Sequence, residues 1–371
     1  MAAVEVCDTL SHGDALGRRR KPKSADDTGA LACRERMAAA NNVDKRRRQQ
    51  PMSLKVVLTQ TEGYPHFALL NDLDIEGLRI VEVTTPEELT AEIVDADVLY
   101  GFPTSDLLQA GKALRWIQSP SAGVNFLQDL TELVENDIVL TNTRGAHGPS
   151  IGEHTFALLF ALTRHIPESI QAQRDHYWAR RELYRTSREM RGLTMGIIGY
   201  GAIGRAVAQR AKGFDMEVLA IDPHPEPGAP FVAETWGMER LPDLMEQSDV
   251  VVVAAPLTAE SYHLIDAAVL ARMKPDAYLI VVSRGGIVDE DALVDALQGG
   301  KLAGAGLDVT EIEPLSPDSR LWDAPNVVIT PHTAGDSSEK ERRCIEILRE
   351  NLVRFSQGET LLNLVDKKRG Y

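Results

Sequence analysis

The sequence predicts an α/β protein with two doubly wound parallel-sheet domains. From Leu54 onward, short apolar runs alternate with amphipathic stretches, which is the order that strand–helix units produce. The alternation is interrupted near residue 150 and starts again at residue 194, which indicates two such series. Runs such as Val250–Ala254 are apolar at every position, as a parallel sheet covered on both faces requires.

Five strands are predicted in the first series, each a short apolar run bounded by polar or turn-forming residues. They are Leu54–Leu58, Arg79–Val83, Asp97–Tyr100, Arg115–Gln118 and Ile138–Thr141. Amphipathic segments between them, including Pro86–Val94 and Ser105–Lys112, predict helices.

The second series has six predicted strands and a long final helix. At the junction, Ser150 and Glu153 have the spacing of a capping box, so we expect a helix to begin with Ser150 as its N-cap. A polar, arginine-rich stretch then extends to Arg191. The segment Glu339–Phe355, with Gly358 just beyond it, predicts the last helix. The six strands are Thr194–Gly199, Glu217–Asp222, Asp249–Ala255, Ala277–Ser283, Gly304–Val309 and Val327–Thr330.

Charge separates the first 51 residues from the rest of the chain. The formal net charge is −15, yet residues 1–51 contain 11 lysines and arginines against 7 acids. The acidic remainder would repel a phosphate backbone, so we expect no nucleic-acid partner. Residues 1–51 lack the apolar segment of a signal peptide and any periodic apolar pattern, so we interpret them as a disordered extension.

Membrane, disulfide and metal sites are not expected. The sequence has no run of about eighteen apolar residues, the length that a membrane-spanning helix needs. Cys7, Cys33 and Cys344 have the spacing of neither a disulfide framework nor a zinc site. Reduced thiols are typical of a cytoplasmic protein, and we predict that compartment.

A glycine motif follows the first strand of the second series. Gly199, Gly201 and Gly204 form G-x-G-x-x-G between a buried strand and a predicted helix, and Asp222 ends the next strand. Such glycines allow a tight turn, a close approach to a pyrophosphate and close helix packing, while the helix N-terminus faces the phosphates. An aspartate at the second strand end binds the adenosine ribose and repels a 2′-phosphate. The motif therefore predicts a Rossmann domain that binds NAD rather than NADP.

Three polar residues follow later strands of the same series. Arg284 and His332 each follow a predicted strand, and Glu313 lies five residues after Asp308, near the end of another. The carboxyl ends of parallel strands meet at one edge of the sheet, so we expect these side chains beside the glycine loop. Carbonyl reduction of a keto acid needs a proton donor, a cation for the carboxylate and a group that sets the donor's charge. His332, Arg284 and Glu313 supply these three chemistries.

Taken together, these segments resemble the D-isomer-specific 2-hydroxyacid dehydrogenase family over nearly all of residues 54–365. The set of matching stretches is far more specific than the glycine motif alone. The stretches are Ser121–Val124, Ser150–His154, Gly199–Gly204, Pro256–Thr258, Ser283–Glu290, Gly304–Val309, Glu313–Leu315, Leu321–Trp322 and Thr330–Gly335. The resemblance implies a flavodoxin-like substrate domain and a Rossmann NAD-binding domain.

The resemblance also implies roles for the site residues. His332 is expected to donate a proton to the keto oxygen, Glu313 to hold the imidazole, and Arg284 to clamp the substrate. The expected substrate-binding set is Ala122, Gly123, Val124 and Arg284, with the backbone amides of the first three forming an anion nest. Asp308 is expected to hold the nicotinamide carboxamide. The full expected cofactor set is Gly199, Gly201, Ile203, Gly204, Asp222, Pro256, Val282, Ser283, Asp308, Ala334 and Gly335.

The family's last helix completes its first domain, and this predicts the domain limits here. The substrate-binding domain is expected to comprise residues 52–148 and 336–371, and the NAD-binding domain residues 149–335. The region His165–Arg191 is expected to embrace a second subunit in a two-fold homodimer. The predicted function is an NAD-dependent oxidoreductase that interconverts a small 2-keto acid and its D-2-hydroxy acid.

Two departures from the family pattern and three alternatives accompany this prediction. Asn125 stands where many relatives have aspartate, and Ala254 stands where many have histidine. Glu313 favours a hydroxy acid over formate, because formate dehydrogenases of the superfamily have glutamine there. Phosphite dehydrogenases and phosphoglycerate dehydrogenases share the core pattern. The carboxy-terminal-binding-protein corepressors keep the fold and bind NAD but act as scaffolds, and the basic N-terminal segment favours them.

Overall fold

The computed structural model describes residues 53–59 and 65–369. The expected extension at residues 1–51, with Cys7 and Cys33, lies outside the described residues. The described residues form two parallel sheets with apolar clusters on both faces of each, which confirms the predicted fold class. None of the described helices is long and apolar enough to cross a membrane.

The first sheet has five parallel strands in the order β2-β1-β3-β4-β5. They are β1 (Leu54–Thr59), β2 (Leu78–Val83), β3 (Val98–Tyr100), β4 (Trp116–Gln118) and β5 (Val139–Thr141). This is the flavodoxin-like order, in which ligands bind at the carboxyl edge near the β1–β3 pair. Alternate residues of β1 enter different clusters, with Val57 in one and Val56 in the other. All five predicted strands are confirmed within one residue at each end.

The second sheet has seven parallel strands in the order β12-β11-β10-β9-β6-β7-β8. They are β6 (Thr194–Ile198), β7 (Glu217–Ile221), β8 (Glu234–Trp236), β9 (Val250–Val253), β10 (Tyr278–Val281), β11 (Gly304–Leu307) and β12 (Val327–Ile329). The order is that of the Rossmann fold with one more strand at the far edge. The six predicted strands are confirmed but end one or two residues earlier. We did not predict β8, because this three-residue edge strand has no apolar run.

Eleven α-helices connect the strands in the described part of the chain. They are α1 (Pro86–Glu92), α2 (Ser105–Ala110), α3 (Thr131–Glu135), α4 (Gly148–Thr163), α5 (Ile166–Arg174), α6 (Arg180–Leu183), α7 (Ala202–Gly213), α8 (Leu241–Gln247), α9 (Ala267–Leu270), α10 (Glu290–Gln298) and α11 (Ser338–Gln357). Short 3₁₀ turns lie at Pro65–Leu70, Ile93–Asp95, Asn125–Gln128, Met238–Arg240 and Arg320–Asp323.

The predicted capping box is wrong. Helix α4 begins at Gly148, two residues before the expected N-cap, with a proline in its first two positions. A proline there is already set to the helical φ angle and loses no hydrogen bond, which favours the earlier start. Ser150 is thus inside the first turn, where its Oγ lies 2.8 Å from Ser337 Oγ. Glu153 instead accepts a hydrogen bond from Arg210 at 3.0 Å.

The last helix, α11, packs against the first sheet rather than the second. Its residues Leu348 and Leu352 are fully buried in one cluster with Leu58 and Trp116. Asn351 Nδ2 donates to Gln118 Oε1 at 3.0 Å, and its Oδ1 accepts from Leu362 N at 2.7 Å. The five-stranded sheet is therefore covered on one face by the C-terminal part of the chain.

Candidate active site

A cleft of about 360 Å³ lies at the carboxyl edges of the two sheets. Loops of the first sheet contribute Phe102, Gly123 and Phe126 to its lining, and loops of the second sheet contribute Arg284, Glu313 and His332. The structure thus brings the three predicted catalytic residues to one cleft, facing the predicted anion loop.

His332 and Glu313 form a direct pair. The distance from His332 Nδ1 to Glu313 Oε2 is 2.7 Å, and the two side chains are 47% and 38% exposed. Because Nδ1 faces the carboxylate, Nε2 is the ring nitrogen left to act in the cleft. His332 has a φ of 54°, in the left-handed region, and its amide donates to Asp308 O at 2.8 Å. This backbone conformation is uncommon outside glycine, and the hydrogen bond to Asp308 holds it in place.

Asp308 is the residue that holds the histidine loop in place. Its buried carboxylate accepts from Thr330 Oγ1 at 2.6 Å, Thr333 N at 3.0 Å and Ala334 N at 2.9 Å. His154 Nε2, from α4, lies 2.8 Å from Thr330 Oγ1. The sequence predicts a cofactor-binding role for Asp308 and no role for His154. The matching stretch Ser150–His154 was the available signal, but it did not show which side chains face the sheet edge.

Glu290, at the start of α10, orients the loop that carries Glu313. Its Oε1 accepts from the Glu311 amide at 2.5 Å, and Glu313 Oε1 accepts from the Thr310 amide at 3.1 Å. Burial raises the pKa of the Glu290 carboxyl. One oxygen of Glu313 is therefore fixed by its own loop while the other holds His332.

Arg284 is a half-buried cation without a carboxylate partner. Its Nη1 donates to Ser283 O at 2.6 Å, and no carboxylate of the described residues lies within 4 Å of it. Burial lowers the pKa of the Arg284 guanidinium, and the charge of nearby Glu313 raises it. A Cβ on Gly123 would lie 2.2 Å from Arg284 Nη2, so a larger residue there would displace the guanidinium. An unpaired guanidinium in a cleft is suited to an anionic ligand.

The predicted anion loop has two free amides rather than three. Gly123 N donates to Ser121 Oγ at 3.2 Å. The amides of Ala122 and Val124 donate to no acceptor in the described part of the protein. Asn142 Nδ2 donates to Ala122 O at 2.8 Å and fixes the loop. Two free amides beside a guanidinium provide enough hydrogen-bond donors to bind one carboxylate.

The glycine loop has the shape that dinucleotide binding requires. Gly199 has a φ of 90°, and a Cβ on it would lie 2.7 Å from Ala255 Cα. A Cβ on Gly204 would lie 2.2 Å from Gly199 O, which explains why this helix position is a glycine. Gly201 precedes α7, and a Cβ on it would meet open space. The open space lies at the N-terminus of α7, where a pyrophosphate binds in such folds.

Asp222 has a structural role besides its predicted one. Its two oxygens accept from Tyr200 N and His224 N, both at 2.9 Å, so the carboxylate ties the glycine loop to β7. Each oxygen keeps a lone pair for a ribose hydroxyl. Arg205, which directly follows the glycine loop, is paired with Glu226.

The other expected cofactor residues lie at the same edge of the second sheet. They belong to α7 or to the segments after β9, β10 and β12, and they are Ile203, Pro256, Val282, Ser283, Ala334 and Gly335. Ser283 Oγ is buried without a hydrogen-bond partner among the described residues. This orphaned hydroxyl and the open helix N-terminus fit a bound dinucleotide.

These features define a dinucleotide-dependent oxidoreductase site with an adjacent anion-binding cleft. A family model described as "D-isomer specific 2-hydroxyacid dehydrogenase, NAD binding domain" matches residues 156–334. A glyoxylate reductase from Korarchaeum cryptofilum is 38% identical over 74% of this chain and 84% of its own length. A D-3-phosphoglycerate dehydrogenase from Archaeoglobus fulgidus is 36% identical over 71% of this chain and 49% of its own length.

Solved structures lead to the same class. A D-isomer specific 2-hydroxyacid dehydrogenase family protein from Aeromonas salmonicida superposes with a TM-score of 0.75 at 31% identity. The match covers 85% of this chain and 100% of that protein. The chain belongs to the D-isomer specific 2-hydroxyacid dehydrogenase family and is an NAD-dependent oxidoreductase.

Proposed function

We propose that the protein reduces a small 2-keto acid to its D-2-hydroxy acid with NADH, and that His332 is the proton donor. The observation that supports this most directly is the His332–Glu313 pair at 2.7 Å, in one cleft with the unpaired guanidinium of Arg284. With a hydride donor bound at the glycine loop, this pair supplies the proton and the guanidinium supplies the anion site that the reaction needs.

Each residue then has one task. Arg284 and the amides of Ala122 and Val124 bind the substrate carboxylate, which fixes the keto group beside His332. The bound nicotinamide supplies the hydride for the keto carbon. His332 Nε2 gives its proton to the keto oxygen, and the Glu313 carboxylate stabilises the imidazolium that precedes this transfer. In the oxidative direction His332 takes the proton back.

A pair of matched variants tests the assignment of His332. His332 and His176 have φ angles of 54° and 53°, and asparagine tolerates that conformation, so the backbone is preserved in both substitutions. His332→Asn should lower kcat for keto-acid reduction by about two to four orders of magnitude, the usual contribution of a general acid. His176→Asn should leave kcat unchanged. Substantial reduction by His332→Asn would exclude His332 as the donor.

A variant without the charge tests the role of Glu313. Glu313→Gln keeps the shape of the side chain and removes the charge that stabilises the imidazolium. Its kcat for keto-acid reduction should fall by about tenfold if that charge contributes about 1.4 kcal/mol to the transition state. An unchanged kcat would show that Glu313 does not act through charge.

In our proposal the domain of the first sheet binds the substrate and the domain of the second sheet binds the cofactor. Residues 52–148 and 336–371 form the substrate-binding domain, and residues 149–335 form the NAD-binding domain. The glycine loop would hold the pyrophosphate of the cofactor and Asp222 its adenosine ribose, while Ser283 and the histidine loop would hold the nicotinamide. Asp308 contributes by holding that loop, and a free lone pair allows contact with the carboxamide as well.

We also propose a two-fold homodimer formed through the region His165–Arg191. This region places large apolar side chains in solvent, including Ile166 at 45%, Ile170 at 46% and Trp178 at 86% exposure. Several large exposed apolar side chains in one region are typical of an interface, and two-fold pairing of identical chains is the most common assembly. A monomer in sedimentation at micromolar concentration would contradict the proposal.

A further inference from the structure

The cleft has a polar part and an apolar part, and only the polar part is used by the chemistry proposed above. Arg284, Glu313 and His332 form the polar part. Phe102 and Phe126, from loops of the first sheet, and Leu257, from the loop after β9, form the apolar part. A keto acid held by its carboxylate and keto oxygen must direct its remaining substituent toward some other surface of the cleft.

Phe102 is not explained by packing in the core. It follows β3 and is 55% exposed, although it is one of the largest apolar side chains of the first sheet. Its ring meets Phe126 edge to face, with centroids 6.2 Å apart and planes at 83°. Phe126 lies in the 3₁₀ turn that directly follows the anion loop at Ala122–Val124. The aromatic pair therefore begins within a few residues of the place where the carboxylate binds. Leu257, on the facing side, is 41% exposed.

The charges of the cleft exclude a second anionic group on the substrate. Arg284 is the only lysine or arginine among the described residues that line it. The carboxylates of Glu311 and Glu313 line the same space. Once Arg284 is paired with the substrate carboxylate, a phosphate would find no second lysine or arginine among the lining residues and would lie near two carboxylates, so its desolvation would be poorly compensated.

We propose that this protein selects 2-keto acids with an apolar side chain, branched aliphatic or aromatic, and that Phe102 is a specificity-determining residue. The inference rests on the proposed reductase function. The aromatic pair and Leu257 bury the substrate's apolar substituent, so affinity for the transition state rises with apolar area removed from water. Two-carbon and phosphorylated keto acids gain nothing from this surface.

The test is the steady-state reduction of five 2-keto acids with saturating NADH: glyoxylate, pyruvate, 4-methyl-2-oxopentanoate, phenylpyruvate and phosphohydroxypyruvate. We expect kcat/KM for 4-methyl-2-oxopentanoate or phenylpyruvate to exceed that for glyoxylate by about tenfold or more. Phosphohydroxypyruvate should be the poorest substrate. A highest kcat/KM with glyoxylate or phosphohydroxypyruvate would overturn the inference while leaving the proposed function intact. No turnover of any of the five would overturn the proposed function.

Phe102→Ala, with Val94→Ala as control, tests the residue itself. Both residues are 55% exposed and lie in segments that connect strands of the first sheet, but only Phe102 lines the cleft. Phe102→Ala should lower kcat/KM for phenylpyruvate by about 10- to 100-fold and change that for glyoxylate by less than about twofold. Val94→Ala should change neither. An equal loss for both substrates in Phe102→Ala would show a structural role and would overturn the assignment.

Discussion

Two loops of the seven-stranded sheet are each held by an aspartate carboxylate. The two carboxylates differ in how many of their lone pairs already accept hydrogen bonds from the protein. The glycine loop, Gly199–Gly204, follows β6, and the histidine loop, Pro331–Gly335, follows β12. Each is held by an aspartate at the end of the neighbouring strand, which accepts hydrogen bonds from amides of the loop.

The aspartates differ in burial and in free acceptor capacity. The Asp308 side chain is 1% exposed and takes three donors, whereas half-buried Asp222 takes two and has lone pairs free for a ligand. The glycine loop obtains its shape from glycines, but the histidine loop holds a strained non-glycine residue. The shape of the first loop is thus a local property of its sequence. The shape of the second depends on a buried carboxylate from another strand.

The largest effect is expected from removal of the buried carboxylate. Asp308→Ala leaves the amides of Thr333 and Ala334 and the hydroxyl of Thr330 without their acceptor. We expect the free energy of unfolding to fall by about 3 kcal/mol and keto-acid reduction to be nearly lost. Chemical denaturation and steady-state kinetics measure both. Asp318→Ala, at an exposed position, should cost less than about 0.5 kcal/mol. A stable, active Asp308→Ala variant would show that the histidine loop does not depend on this carboxylate for its shape.

Two variants of the glycine loop should separate an effect on protein stability from an effect on cofactor binding. Gly204→Ala places a Cβ against Gly199 O and should destabilise the protein by about 2 to 3 kcal/mol. Gly201→Ala meets open space, so its free energy of unfolding should change by less than about 1 kcal/mol. Its KM for NADH should nevertheless rise about tenfold, equivalent to about 1.4 kcal/mol. If Gly201→Ala binds NADH normally, the pyrophosphate does not approach at that residue.

A smaller effect is expected at Asp222, and it should appear in cofactor choice. Asp222→Asn keeps an oxygen that can accept from Tyr200 N and removes the charge that repels a 2′-phosphate. The ratio of kcat/KM for NADH to that for NADPH should fall by about tenfold or more. The free energy of unfolding should drop by about 1 kcal/mol at most. Equal use of NADH and NADPH by the wild type would contradict this role.

The smallest effect concerns His147, which contacts the end of the histidine loop. A Cβ on Gly335 would lie 3.1 Å from its Nδ1. Burial, and then the charge of Lys340, lower the pKa of His147 to about 4. The folded state therefore favours the neutral ring, and this stability is present above about pH 6.5 and is lost as pH falls toward 4. By pH 5.5 wild type should lose about 1 kcal/mol more than His147→Asn does. If the free energy of unfolding depended on pH in the same way in the two proteins, the lowered pKa of His147 would be contradicted.

The difference between a loop shaped by its own sequence and a loop held by a distant residue also explains what the sequence could predict. The glycine loop and the continuous apolar strands have local signatures, so the sheets and the positions of Arg284, Glu313 and His332 followed from spacing and from the resemblance. The hydrogen bond between Glu290 and Glu311 and the contact between His154 and Thr330 join residues far apart in the chain. Their partners depend on tertiary packing, which periodicity does not encode. The capping box at Ser150 was wrong for a local reason, because Pro149 lets the helix begin at Gly148.

The return of the last helix to the first sheet has a consequence for how the protein is made. The five strands from Leu54 to Thr141 leave the ribosome first, yet Leu348 and Leu352 cover one of their faces. Until these late residues emerge, that apolar face is covered only in part, by earlier residues such as Leu70, although domains otherwise tend to fold in the order of synthesis. The first-made sheet therefore reaches its complete packing only after the whole second sheet has been translated.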